Sequence, residues 1–172
     1  MIRHRSIGLC LIFACLLPPA AWGEEKPGTK EVKVIDLNGV RRLITERHGK
    51  ILFLNVWATW CQPCVEEFPD IVGIRNSVPD SIADVAAISV DYPDEAGTKV
   101  LPFLRSRKVT FPVYVSGVKK EEDFMNALNP SWSGGVPATF IFDKHGELRS
   151  FLFGQKTFDI FKAAIDSVIS AQ

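Results

Sequence analysis

Residues 51–64 read ILFLNVWATWCQPC, and this stretch decides the fold. Its first half, residues 51–57, is almost wholly apolar and rich in β-prone side chains. Such a run predicts a central strand buried on both faces, because a half-exposed strand would alternate apolar with polar residues. After Ala58-Thr59-Trp60, a helix is predicted from Cys61 to about Asn76, interrupted near Pro69. Pro63 suits a first helical turn, where its missing N–H is not needed. Cys61 and Cys64 stand one turn apart, so a disulfide between them needs little rearrangement. Cys61 falls where unpaired backbone N–H groups and the helix dipole stabilise an anion. It is therefore expected to titrate below the free thiol value of about 8.5 and to be the attacking sulfur. Cys64, one turn inside, is expected to be buried and to resolve the mixed disulfide.

A purely structural disulfide closing so short a loop would remove little chain entropy and add little stability. Metal binding would need more ligands. Beyond the two cysteines, the sequence after residue 23 offers only His48 and His145, both in predicted turns. No metal is expected, and no cofactor besides the redox-active disulfide.

Working outward, the chain has 172 residues, 47% hydrophobic and 23% charged, with formal net charge zero. That composition fits one globular domain rather than a disordered chain, and lacks the basic excess of a nucleic-acid binder. The N-terminus reads as a secretory signal over residues 1–23. Arg3 and Arg5 precede an apolar run at residues 7–17, Pro18-Pro19 ends it, and Ala21-Trp22-Gly23 offers small residues for cleavage. Cleavage there removes Cys10 and Cys15, leaving Cys61 and Cys64 as the one pair. The expected location is periplasmic or otherwise exported, with membrane anchoring through an uncleaved N-terminus or a lipidated Cys15 as the alternative. Residues 24–31 read as a flexible lead-in and residues 32–172 as one domain.

Within that domain, Asn38-Gly39 between apolar stretches predicts a β-hairpin. Strands are expected at residues 85–90, 113–115, 138–142 and 148–153, and helices at 95–108, 121–128 and, capped by Thr157, 157–170. Residues 129–135, containing Trp132, read as a loop. The alternation gives an α/β fold with a mixed central β-sheet flanked by helices.

The run 54–64, LNVWATWCQPC, followed by Glu67-Phe68-Pro69, resembles the active site of the TlpA/ResA-like thiol–disulfide oxidoreductases, exported members of the thioredoxin superfamily. Asp36-Leu37-Asn38-Gly39 resembles their added N-terminal hairpin, and residues 135–143, GVPATFIFD, their second active-site segment. An X–Pro bond is ordinarily trans; the resemblance implies a cis Pro137 beside the disulfide, leaving Val136 free to pair with an extended substrate strand. It also strengthens Glu67, three residues after Cys64, as the acid/base group, since proton transfer at a buried sulfur needs a partner close by. The alternative for Glu67 is a solvated carboxylate near a helix start. Thioredoxin has an aspartate where this chain has Asn55, which cannot titrate and is read as a hydrogen-bonding support. Trp57 is assigned to the core and Trp60 to the partner-facing surface. Gln62 replaces the glycine of cytosolic thioredoxin and bears on redox potential. Trp132 either extends the binding surface near Pro137 or packs its own loop.

The resemblance implies a reductant of protein disulfides, drawing electrons from a membrane thiol donor and serving cytochrome c maturation or copper-site cysteines; a monomer is expected. Three rivals remain open: a disulfide-forming oxidase or isomerase on the same fold, a thiol peroxidase, and a non-enzymatic copper-binding domain.

Overall fold

The computed structural model describes residues 31–171. The predicted signal, most of the lead-in and Cys15 lie outside the described residues. Ile51–Trp57 forms a strand buried at every position, as expected for a run apolar but for Asn55. It is the second of six strands: β1 Lys33–Ile35, β2 Ile51–Trp57, β3 Ala83–Ser89, β4 Val113–Ser116, β5 Ala138–Phe142 and β6 Leu148–Phe153. They form one sheet in the order β1-β4-β3-β2-β5-β6. β1 to β4, β4 to β3 and β3 to β2 pair in parallel, while β5 runs antiparallel to both β2 and β6. The sheet is therefore mixed.

Side chains alternate across β2, and each face has its own core. Ile51, Phe53 and Trp57 pack with Phe68, Ile71 and Ile74 of helix α2 (Gln62–Ser77) and with Phe161 and Ile165 of helix α5 (Phe158–Ser170). Leu52, Leu54 and Val56 pack on the opposite face with Val40 and Ile44 of α1 (Leu37–Thr45) and Phe124 and Leu128 of α4 (Glu121–Leu128). Asn55 is thus carried on the α2 face, the odd-numbered side of a strand otherwise apolar there.

The expected N-terminal hairpin is absent: Leu37–Thr45 is a helix, and β1 pairs with β4 instead. Asp36 is the N-cap, its carboxylate accepting the Gly39 N–H at 2.7 Å, and Val40 and Ile44 bury one helical turn apart. Gly39 serves packing rather than a turn, since a Cβ there would come within 2.6 Å of Ile35 Cγ1.

Helix α2 runs unbroken through Pro69. The proline forfeits one backbone bond at an exposed position, while Phe68, Ile71 and Ile74 bury on either side of it. The segment expected as one helix at 95–108 is composite: a 3-10 turn at Pro93–Glu95, one π turn at Ala96–Val100, and α3 at Leu101–Ser106. Pro102 sits in the first turn of α3, where no N–H is required. Thr157 occupies the N-cap position of α5, but its side chain makes no capping bond.

Candidate active site

The site lies at the end of β2, where the chain leaves the sheet and enters α2. Cys61 is the N-cap residue of α2, in extended conformation, and its sulfur accepts the Cys64 N–H at 3.3 Å. Cys61 and Cys64 are joined by a disulfide with Cα atoms 5.2 Å apart. Cys64 is fully buried, whereas Cys61 keeps 5% exposure.

The approach to Cys61 is held from the neighbouring strand. Asp91, just beyond β3 and buried, accepts the Thr59 N–H at 2.9 Å and the Thr59 hydroxyl at 2.5 Å. The Ser89 hydroxyl also donates to Asp91 and accepts its N–H at 2.9 Å. Beyond this latch stands Trp60, 66% exposed next to the disulfide. Gln62 and Pro63 are exposed too; Gln62 donates to the exposed Glu66 carboxylate at 2.9 Å.

Glu67 is 1% exposed, one turn beyond Cys64 and above the sheet. Its Oε1 accepts from Asn55 Nδ2 at 3.0 Å and its Oε2 from the Lys156 backbone N–H at 3.0 Å. The register of β2 against β5 sets Asn55 opposite Thr139, and Asn55 Nδ2 also donates to the Thr139 hydroxyl at 3.0 Å. Burial pushes the Glu67 carboxyl up from 4.5 to about 7, against the opposing pull of the Lys156 N–H, the Asn55 amide and the Lys156 charge; Asp70 adds a small upward push. Asn55 Oδ1 is buried with no hydrogen-bond partner. Turned over, the same amide would present that oxygen to a protonated Glu67, so Asn55 can serve both protonation states.

The second segment leads into β5, which pairs with β2 alongside Asn55. The Val136–Pro137 peptide is cis. The Pro137 carbonyl accepts the Gly154 N–H at 2.9 Å, while the Val136 main chain has no hydrogen-bond partner among the described residues. Val136 is half-buried. Trp132, 4% exposed, packs against Phe124 and Phe140 and donates its Nε1 to the Gly135 carbonyl at 2.8 Å. It therefore buttresses the segment from beneath and adds no binding surface. Trp57 is a core residue against Phe68 and Phe103.

Sequence reasoning missed Asp91, Thr139 and Lys156. A carboxylate directly after a buried strand was a usable signal for Asp91. Lys156 reaches Glu67 through its backbone, which its side-chain type does not advertise.

Residues 29–151 match the model of the AhpC/TSA family. The chain belongs to that family. Within it, the chain is a TlpA/ResA-like protein of the thioredoxin superfamily and an oxidoreductase of the thioredoxin type. It is 29% identical over 133 residues to the thiol–disulfide oxidoreductase ResA of Geobacillus kaustophilus, covering 77% of this chain and 71% of that one. It is 28% identical to the thiol:disulfide interchange protein HelX of Rhodobacter capsulatus, over 90% of this chain and 80% of that one. Among solved structures, a DsbF homologue from Corynebacterium diphtheriae superposes with TM-score 0.59 at 26% identity, covering 69% of this chain and 72% of the other. A thioredoxin-family thiol:disulfide interchange protein from Chlorobium tepidum gives TM-score 0.61 at 22% identity over 72% and 83% of the two chains, a likeness of fold.

Proposed function

We propose that this ResA-like oxidoreductase reduces protein disulfides through the Cys61/Cys64 dithiol, with Glu67 holding the proton that the second sulfur must lose. The observation that carries the reading is one juxtaposition: a disulfide at a helix N-terminus, a fully buried second sulfur, and a buried carboxyl one turn away titrating near neutrality. In the reduced protein the Cys61 thiolate attacks a client disulfide. The new bond joins Cys61 to one client sulfur, and the other client sulfur leaves as a thiolate. The Cys64 thiol then passes its proton to the Glu67 carboxylate, and the Cys64 thiolate attacks the Cys61 sulfur. The bound client sulfur departs and takes the proton from Glu67. The client disulfide has gained two electrons, and Cys61–Cys64 is oxidised. The open main chain of Val136 supports pairing with an extended client segment, and Trp60 offers it an apolar surface.

The proposal extends to setting. The pattern of residues 1–23 supports export, the relatives named ResA and HelX support a role in thiol–disulfide interchange, and the resemblance noted in the sequence supports a membrane thiol donor and clients in cytochrome c maturation. No helix among the described residues is long and apolar enough to cross a membrane. The test is the reduction potential of the Cys61–Cys64 couple, measured with turnover of a protein disulfide. A potential well below about −200 mV with disulfide reduction supports the reading; one near −120 mV makes the protein an oxidant.

A further inference from the structure

The turn between β6 and α5 joins the two halves of the site. At its start, the Gly154 N–H donates to the Pro137 carbonyl at 2.9 Å; at its end, the Lys156 N–H donates to Glu67 Oε2 at 3.0 Å. Gly154 has φ +77°, a conformation that a side chain would strain, so the turn is built for this path. The Lys156 ammonium folds back over the same turn. It donates to the carbonyls of Phe153 at 2.5 Å, Gly154 at 3.0 Å and Gln155 at 3.2 Å. An ammonium has three donors, and all three are engaged within the turn that presents the Lys156 N–H. The side chain is half-buried, close enough for its charge to act on Glu67.

We infer that Lys156 is a positioning residue: its ammonium staples the 153–156 turn, holding the Lys156 N–H on Glu67 while the same turn holds the Pro137 segment. The inference rests on the proton role proposed for Glu67. The groups that act on Glu67 are Lys156 from the turn, Asp70 from α2 and neutral Asn55 from β2, itself bonded to Thr139 of β5, while Cys61 and Cys64 are held in the disulfide and do not titrate. Among the described residues Lys156 is the one cation acting on Glu67, and it also governs the backbone donor. Without it the carboxylate loses an attraction and a fixed N–H together, so the acid form gains. Asp70 and burial then act unopposed by charge. Displacement of the Pro137 segment by a docking client would reach Glu67 through the same turn.

The test is the titration of the Glu67 carboxyl by 13C NMR in the oxidised protein, where neither cysteine titrates. Lys156→Met should move the Glu67 midpoint alkaline by about one pH unit. Lys156→Arg, which keeps a cation able to donate to the same carbonyls, should stay closer to wild type than Lys156→Met. A Lys156→Met titration superimposable on wild type overturns the inference, as does an equal displacement in both variants. Should Lys156→Met fail to fold, Lys156→Gln replaces it with the same two criteria. Failure of the underlying reading shows separately: Glu67→Gln would then resolve a preformed mixed disulfide with the wild-type pH profile, whatever the Lys156 variants do.

Discussion

Replacing Glu67 by glutamine should make the oxidised protein more stable relative to wild type as pH rises. In the folded protein the Glu67 carboxyl titrates at about 7 rather than 4.5 because burial penalises its charge. The folded state therefore binds more protons than the unfolded chain between those values, and stability falls as pH rises through that window. The displacement corresponds to about 3 kcal/mol, fully retained below pH 4.5 and fully lost above pH 7. Glutamine does not titrate, so Glu67→Gln removes this dependence. It also brings a fixed cost, because its amide oxygen can accept from the Lys156 N–H while its NH2 meets Asn55 only with the Asn55 amide turned over, which gives up the Asn55 donation to the Thr139 hydroxyl. That cost, about 1–3 kcal/mol, is the same at every pH. The slope therefore isolates the titration from the hydrogen-bond loss. Urea unfolding of both oxidised proteins at pH 5 and pH 8.5 should show the difference between them shifting toward the variant by roughly 2–3 kcal/mol. A difference constant with pH would refute a carboxyl held near neutrality by burial.

Two other substitutions probe the scaffold. Asp91→Ala should destabilise the oxidised protein by about 2–3 kcal/mol in urea unfolding, because it strands the Thr59 N–H and hydroxyl and the Ser89 hydroxyl; a loss under 0.5 kcal/mol would mean the latch is solvated rather than structural. Gly39→Ala should cost about 1–3 kcal/mol in thermal unfolding, since the added Cβ would press on Ile35 within 2.6 Å. A stabilised variant, as expected for alanine in an unobstructed helix, would refute the packing role of that glycine.

The parts of this fold legible in the sequence are those where one local signal has one structural outcome. Seven residues apolar but for Asn55, followed after three more by a C-x-x-C motif, specify a buried strand, a helix start and the placing of two sulfurs of unequal exposure. Asn38-Gly39 is the contrary case. The dipeptide suits a hairpin turn and a capped first helical turn equally, and what decides is the closeness of Ile35 and the pairing of β1 with β4, which no local pattern contains. Pro69 misleads for a related reason: its cost is local, while the burial that offsets it is spread along α2. At the site, Glu67 could be singled out by its spacing from Cys64, and Asn55 through the resemblance to thioredoxin-like sequences. Their contact depends on β2 carrying Asn55 on the α2 face, and the Thr139 partner depends on the antiparallel register with β5. Trp132 could be read two ways until Phe124, Phe140 and the Gly135 carbonyl were in place around it.

The central claim is that Cys61 attacks a client disulfide and Cys64 resolves the adduct. It is tested most directly by reducing the Cys64→Ala protein, adding a disulfide-bonded protein substrate, and mapping the covalent product by mass spectrometry. The account predicts a mixed disulfide through Cys61 that persists without Cys64 and is not formed by Cys61→Ala. Failure of the Cys64→Ala protein to accumulate an adduct, or an adduct formed through Cys64 in the Cys61→Ala protein at a comparable rate, would contradict it.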